Sequence, residues 1–280
     1  MNYLQAINYG SEILKLNNIE TYNLDSELLL AKALNSTREN LLINLNKKIY
    51  PNKFYIFKRL ITRRKKQEPL AHIFQVKEFW NLNFIVNKDV LTPRPETELI
   101  VDEVLNLISP ASSKNILDIG TGSGCIIISI INERQNCNAT AIDISKKAIK
   151  IALCNAKMHH MQNKINFINI DIDKFYLNHY DFIVSNPPYI SNIEFNKLGN
   201  NIRLFEPHLS LRAGVDGLRD IKKLISKSKK LLKIKGKLIF EIGVNQLQNV
   251  KKILMKDGFY INKICKDIRN IPRVIISTKL

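Results

Sequence analysis

The sequence predicts an α/β protein: a seven-stranded, mostly parallel sheet, preceded by a small helical domain and joined to it by a β-hairpin. Three observations lead there. From residue 115 onward, strand-length apolar runs alternate with stretches of helical spacing, the pattern of βαβ units whose helices cover both faces of a sheet. A glycine-rich loop follows the first of those runs, and residues 1–72 carry helical spacing throughout. The divisions expected are a helical substrate-recognition domain over 1–72, a hairpin linker over 73–92 and the sheet domain over 93–280.

Composition narrows the class. With 280 residues, 45% of them hydrophobic and 24% charged, the chain can bury a substantial core, which excludes a disordered protein. Met1-Asn2-Tyr3-Leu4-Gln5 has no charged segment followed by an apolar stretch, and no run approaches the roughly 18 apolar residues that cross a bilayer. A cytoplasmic protein with no membrane partner is expected. Cys125, Cys137, Cys154 and Cys265 form no C-x-x-C pair, which argues against zinc and against a disulfide framework. The net charge of +18 suits a protein that meets nucleic acid or a nucleic-acid-rich particle, and equally suits a chain whose composition has drifted toward Asn, Ile and Lys.

Taken in order, Leu4, Ile7, Ile13 and Leu14 give a first helix its apolar face. Asp25 or Ser26 is placed to cap a helix over 27–34, which Asn35 ends. Ser36-Thr37-Arg38-Glu39 reads as a capping box ahead of Leu41, Leu42, Ile43 and Leu45. A helix from about Asn52 carries Phe54, Phe57, Leu60 and Ile61 and ends in Arg63-Arg64-Lys65-Lys66, a tetrad that either contacts phosphates or complements the helix dipole. Trp80, Leu82 and Phe84 alternate with polar residues as in a strand or hairpin, with Asn87-Lys88-Asp89 as its turn. In Thr92-Pro93-Arg94-Pro95-Glu96-Thr97-Glu98, Pro95 suits the first residue of a helix with Glu96 and Glu98 in its opening turn. Strands then follow at Ile116-Leu117-Asp118-Ile119, Ala139-Thr140-Ala141-Ile142-Asp143, Ile165-Asn166-Phe167-Ile168, Phe182-Ile183-Val184, Lys237-Leu238-Ile239-Phe240-Glu241, Phe259-Tyr260-Ile261 and Val274-Ile275-Ile276-Ser277. The least regular stretch, 191–217, is a candidate substrate loop. Lys222 to Lys237 surrounds Leu224, Ile225, Leu231 and Leu232 at helical spacing, as on an amphipathic helix with a solvated basic face. His159-His160 reads as a solvated pair, and His72, His179 and His208 have no partner legible in the sequence.

Chemistry concentrates in two places. Gly120-Thr121-Gly122-Ser123-Gly124 is G-x-G-x-G between a strand and its helix, where the backbone approaches a ligand and the helix N-terminus offers free N–H groups. Asp143 ends the next strand about 20 residues on, where a carboxylate accepts both hydroxyls of a ribose. Asp118 either orients the ligand's amino-acid portion or caps the glycine turn. The second place is Asn186-Pro187-Pro188-Tyr189, where prolines forbid the strand from continuing. Asn186 offers an amide oxygen, Pro187 a carbonyl and Tyr189 a flat ring, a set that suits a planar NH2 group. The other reading is a strand-ending turn over an aromatic.

This order of motifs resembles the class I S-adenosylmethionine-dependent methyltransferases, and within them the HemK/PrmC family. The resemblance runs over nearly the whole chain, including Glu78-Phe79-Trp80, the Thr92 to Glu98 stretch, the glycine loop, Ser185 to Ile190 and Arg203-Leu204-Phe205-Glu206-Pro207. It implies a Rossmann-like methyltransferase domain that methylates the glutamine side-chain amide in the Gly-Gly-Gln motif of class 1 peptide chain release factors. The cofactor implied is S-adenosyl-L-methionine, leaving as S-adenosyl-L-homocysteine. By the same resemblance Gly120, Thr121, Gly122, Ser123 and Gly124 cradle the methionine part, Asp143 holds the ribose, and Asp171 and Ile172 flank the adenine, with Ile172 standing where family members often carry an aromatic. Asn186 adjoins both cofactor and substrate, and Asn186, Pro187, Pro188 and Tyr189 receive the glutamine, with Asn186, Pro187 and Tyr189 carrying the catalysis. Arg94 and Pro95 are expected close to the site.

Two rivals are weighed on the residues. N-P-P-Y is shared with DNA adenine methyltransferases, and the first rival is an adenine-N6 methyltransferase of DNA or RNA, whose flipped base also presents a planar NH2. The N-terminal helices show no platform of aromatics among their basic residues on which bases would stack, so a nucleic-acid substrate is not expected. A non-catalytic module that binds release factor or ribosome would not require both an intact glycine loop and an intact N-P-P-Y.

Overall fold

The computed structural model describes residues 1–177 and 179–280. It divides into two compact units, Met1–Gln75 with Gly199–Phe205, and Val76–Leu198 with Glu206–Leu280.

The first unit contains α1 (Tyr3–Leu16), α2 (Tyr22–Leu34), α3 (Arg38–Ile43), α4 (Pro51–Arg64) and α5 (Leu70–Phe74), around a core that includes Ala6, Leu14, Leu29, Leu30, Phe57 and Ile61. Asn35 ends α2 in the left-handed conformation. Two expected caps are displaced. Asp25 and Ser26 lie inside α2, which starts at Tyr22. Asp25 is buried and paired with Arg64 Nε at 2.6 Å, and Ser26 Oγ donates to the Ile7 carbonyl at 2.8 Å. A buried carboxylate needs a charged partner more than a helix end needs that side chain. Thr37, not Ser36, caps α3, accepting from Asn40 N at 3.2 Å. Of the basic tetrad, Arg63 pairs with Glu68 and Arg64 with Asp25, which leaves Lys65 and Lys66 exposed.

The second unit opens with a hairpin, β1 (Val76–Phe79) and β2 (Leu82–Ile85). Its turn is Trp80-Asn81, both at positive φ (51° and 56°), and not Asn87-Lys88-Asp89. A two-residue turn with both residues left-handed matches the right-handed twist of the strands, and the Trp80 ring packs against the sheet core beside Phe79 and Phe84. Of the pair read as solvated, His160 is exposed, whereas His159 is half-buried, its Nε2 2.7 Å from the Asn83 carbonyl and its ring packed on Phe84. His208 likewise stands edge-on to Phe195.

A 3-10 turn (Pro95–Thr97) leads into α6 (Glu98–Leu107). Then come β3 (Asn115–Ile119), α7 (Cys125–Glu133), β4 (Asn138–Asp143), α8 (Lys146–Met158), β5 (Ile165–Asn169) and β6 (Tyr180–Ser185). After α9 (Asn192–Lys197) and α10 (Asn200–Arg203), which break up the stretch read as irregular, α11 (Arg219–Leu231) runs into β7 (Leu232–Glu241). The chain closes with α12 (Leu247–Lys256), β8 (Phe259–Lys266) and β9 (Pro272–Lys279). The sheet order is β5-β4-β3-β6-β7-β9-β8, parallel as far as β7 and antiparallel beyond it. Alternation along the strands divides two cores. Ile116, Val184 and Ile239 face one layer, and Leu117, Ile183 and Leu238 the other. α11 closes the second layer with Ile221, Leu224, Ile225 and Leu231 and turns its lysines outward. Among the described residues, no helix is long and apolar enough to cross a membrane.

Candidate active site

Strand order reverses between β3 and β6: β4 and β5 extend the sheet on one side and β7 on the other. A crevice opens at the carboxyl ends of parallel strands where such a reversal occurs. The register sets Asp118 beside Val184, so the glycine loop leaving β3 and the Asn186 turn leaving β6 emerge side by side. Ser185 Oγ fastens them, donating to the Ile119 carbonyl at 2.7 Å in a buried position.

The glycine loop is held from three directions. Gly120 N and Thr121 N donate to the Ile142 carbonyl at 2.9 and 3.0 Å, and Asn155 Nδ2 on α8 donates to the Ser123 carbonyl at 2.8 Å. Thr121 Oγ1 donates to Asp118 Oδ2 at 2.7 Å, whereas Asp118 Oδ1, fully buried, has no partner among the described residues. Burial pushes the Asp118 carboxyl up to about 7, against the Thr121 hydrogen bond and with help from the Asp143 charge. At Gly120 (φ 73°) a Cβ would meet nothing within 4 Å, so the loop faces open space there. At Gly124 (φ 82°) it would lie 2.8 Å from Ile128 Cδ1 and 3.3 Å from Ala152 Cβ. One glycine leaves room for a ligand, and the other lets α7 and α8 approach.

Asp143 accepts Gly122 N on Oδ2 at 2.9 Å and Ser145 N on Oδ1 at 2.8 Å. Each oxygen keeps a lone pair for a further donor. Burial raises its carboxyl, opposed by those two backbone N–H groups. Asp171 accepts from Asp173 N at 2.9 Å and Lys223 Nζ at 2.8 Å, which lower its pKa, while Ile172 packs against the second core layer.

Around Asn186 the structure adds residues that sequence reasoning missed. Asn186 Nδ2 donates to Thr97 Oγ1 at 3.0 Å, Thr97 Oγ1 donates to Glu241 Oε2 at 2.6 Å, and Tyr189 OH donates to Glu241 Oε1 at 2.9 Å. Asn186 Oδ1 and the Pro187 carbonyl have no hydrogen-bond partner among the described residues. Thr97 was legible only as part of a helix start and Glu241 only as a strand end, yet both are buried and joined to Asn186 and Tyr189. An acid closing an otherwise apolar buried strand was the one available signal. Burial raises the Glu241 carboxyl, opposed by the hydrogen bonds from Thr97 and Tyr189. Burial together with the Glu241 charge raises the Tyr189 phenol, so it stays protonated. Gln246 Nε2 donates to the Tyr189 carbonyl at 2.9 Å and to the Gly217 carbonyl at 3.0 Å, fixing the end of the turn.

The rest of the proline-arginine stretch is also engaged. Arg94 reaches both oxygens of buried Glu206 at 2.7 Å, and Glu98 Oε1 accepts Trp80 N at 2.9 Å from the hairpin turn. Burial raises the Glu206 carboxyl while Arg94 holds it down. Arg94 therefore braces the segment that carries Glu206 and stands bound, not free for a ligand.

Residues 5–74 match the family model described as PrmC N-terminal domain, and residues 96–202 match that of the methyltransferase small domain. A release factor glutamine methyltransferase of Fusobacterium nucleatum is 38% identical over 281 residues, covering 99% of this chain and 78% of its own length. Another, of Clostridium acetobutylicum, is 33% identical over 282 residues, covering 100% of this chain and 99% of its own. The bifunctional methyltransferase of Rickettsia prowazekii is 37% identical over 290 residues, and the match spans 97% of this chain but only 56% of that protein. Among solved structures, a methyltransferase from Pyrococcus furiosus shares the fold with a TM-score of 0.55 at 18% identity, covering 78% of this chain and 98% of its own.

Proposed function

Because the chain belongs to the family of the release factor glutamine methyltransferases, we propose that it methylates the side-chain amide nitrogen of the Gly-Gly-Gln glutamine in class 1 release factors. One observation carries the reading: the Asn186 turn leaves β6 beside the glycine loop, and among the described residues its Asn186 Oδ1 and Pro187 carbonyl accept no hydrogen bond.

The residues present fit S-adenosyl-L-methionine. The open side of Gly120 and the orphaned, buried Asp118 Oδ1 suit the methionine part, with Thr121, Gly122, Ser123 and Gly124 completing the cradle. Asp143 retains lone pairs for the ribose hydroxyls, and the family resemblance assigns Asp171 and Ile172 to the adenine. When bound, the cofactor supplies an electrophilic sulfonium methyl and leaves as S-adenosyl-L-homocysteine.

The protein's own task is positioning. An amide nitrogen is a poor nucleophile because its lone pair is delocalised, and no side chain here deprotonates it at neutral pH. Asn186 Oδ1 and the Pro187 carbonyl accept its two N–H groups, which orients the nitrogen and stabilises positive charge developing on it. Pro187 and Pro188 keep those acceptors rigid, and the Tyr189 ring, tethered at its hydroxyl by Glu241, supports the amide plane. Residues 1–72 are assigned to substrate recognition, 73–92 to a linker and 93–280 to the methyltransferase domain. The membership of Gly199–Phe205, from the stretch following N-P-P-Y, in the same unit as the N-terminal helices supports a joint role in recognising release factor.

The test is methyl transfer from labelled S-adenosylmethionine to purified release factor and, separately, to adenine-containing DNA and RNA. Label is expected on the release-factor glutamine, falling about a hundredfold with Asn186→Ala. Label on nucleic acid alone would move the protein to the adenine class.

A further inference from the structure

We propose that Thr97 and Glu241 are positioning residues that set the polarity of the Asn186 side-chain amide, turning its oxygen toward the substrate amide. The proposal deepens the reading of Asn186 as the substrate's acceptor and rests on it. It starts from proton counting. A threonine hydroxyl has one proton, and an ionised carboxylate has none to give. Both oxygens of Glu241 are occupied, Oε1 by the Tyr189 hydroxyl and Oε2 by the Thr97 hydroxyl. With its single proton directed at Glu241, Thr97 Oγ1 can only accept from Asn186, so Nδ2 must face Thr97 and Oδ1 must face away.

An asparagine amide is nearly symmetric in shape, and nothing in the N-P-P-Y turn itself distinguishes its two ends. Reversed, it would offer a donor to the substrate's own N–H groups, a repulsive pairing. Thr97 and Glu241 are both buried, so water does not substitute for either. The charge on Glu241 is what makes the chain directional. Burial opposes that charge most strongly and Glu96 adds to the opposition, while the hydrogen bonds donated by Thr97 and Tyr189, with Arg273 nearby, favour it. A protonated Glu241 would have a proton of its own to offer Thr97, freeing the Thr97 hydroxyl to donate to Asn186 and allowing the amide to turn over.

The experiment reads the free protein and the enzyme side by side. In the full-length, ¹⁵N-labelled chain, the Asn186 side-chain amide is assigned by its loss in Asn186→Ser. One of its two protons is expected to exchange with water at least tenfold more slowly than those of exposed asparagines. Thr97→Ser keeps that protection and Thr97→Val abolishes it. In methyl transfer, Thr97→Val lowers kcat 10- to 100-fold with cofactor affinity within about twofold, and Thr97→Ser recovers kcat to within about threefold. Glu241→Gln lowers kcat and removes the acid-side fall of the wild-type pH profile, because an amide gives Thr97 a donor at every pH. Unchanged protection in Thr97→Val, or an equal loss of kcat in Thr97→Ser and Thr97→Val, overturns the proposal. A wild-type protein that methylates no release factor defeats the functional reading instead, since the exchange measurement decides the polarity without substrate.

Discussion

Asp118 shows what one unpaired atom does to a buried carboxyl. Thr121 satisfies Oδ2 and none of the described residues satisfies Oδ1, so burial raises the group to about 7. A carboxyl raised on folding contributes stability that is complete below its unfolded value near 3.8 and is lost as pH rises through about 7. The ligand-free protein is therefore expected to melt at a progressively lower temperature between pH 5 and pH 8, and Asp118→Asn to flatten that dependence. Calorimetric scans across the range check it, and parallel slopes for the two proteins would refute the assignment. The same carboxylate, ionised and lacking one partner at pH 8, is what an ammonium donor from a ligand would relieve.

At the scale of the element, the glycine loop separates two jobs that a motif search merges. Gly124 lies against Ile128 and Ala152, so Gly124→Ala combines left-handed strain with overpacking and should destabilise the fold by about 2–4 kcal/mol. Gly120 faces open space, so Gly120→Ala should cost only about 1 kcal/mol of stability yet weaken S-adenosylmethionine binding by at least tenfold, its methyl filling the cradle. Urea unfolding and a cofactor titration on both variants distinguish them, and similar profiles would mean the loop does not divide this way. The hairpin makes a related point. Its alternation was plain from Trp80, Leu82 and Phe84, but the turn fell on a tryptophan because both the twist of β1 and β2 and the apolar core beneath favoured Trp80-Asn81.

For the whole molecule, every residue assigned to the cofactor lies in the second unit, whereas the first has a core of its own. Removing residues 1–75 should accordingly leave S-adenosylmethionine affinity within a few fold and reduce transfer to intact release factor by an order of magnitude or more. Retained transfer by the folded remainder would exclude a recognition role for the N-terminal helices. Apolar periodicity determined the strands from Asn115 to Lys279 and the helical N-terminal region, because burial imposes a period that survives in sequence. Glycines and prolines marked Gly120 to Gly124 and Asn186 to Tyr189 because they restrict the backbone locally, whatever surrounds them. Only the tertiary structure joined Thr97 to Glu241, 144 positions away, and Arg94 to Glu206, 112 positions away. Likewise it was burial that turned Asp25 from a cap into the partner of Arg64. Such pairs leave no period behind them: a buried charge takes whichever partner the folded chain brings within reach, and that choice exists only once the sheet has formed.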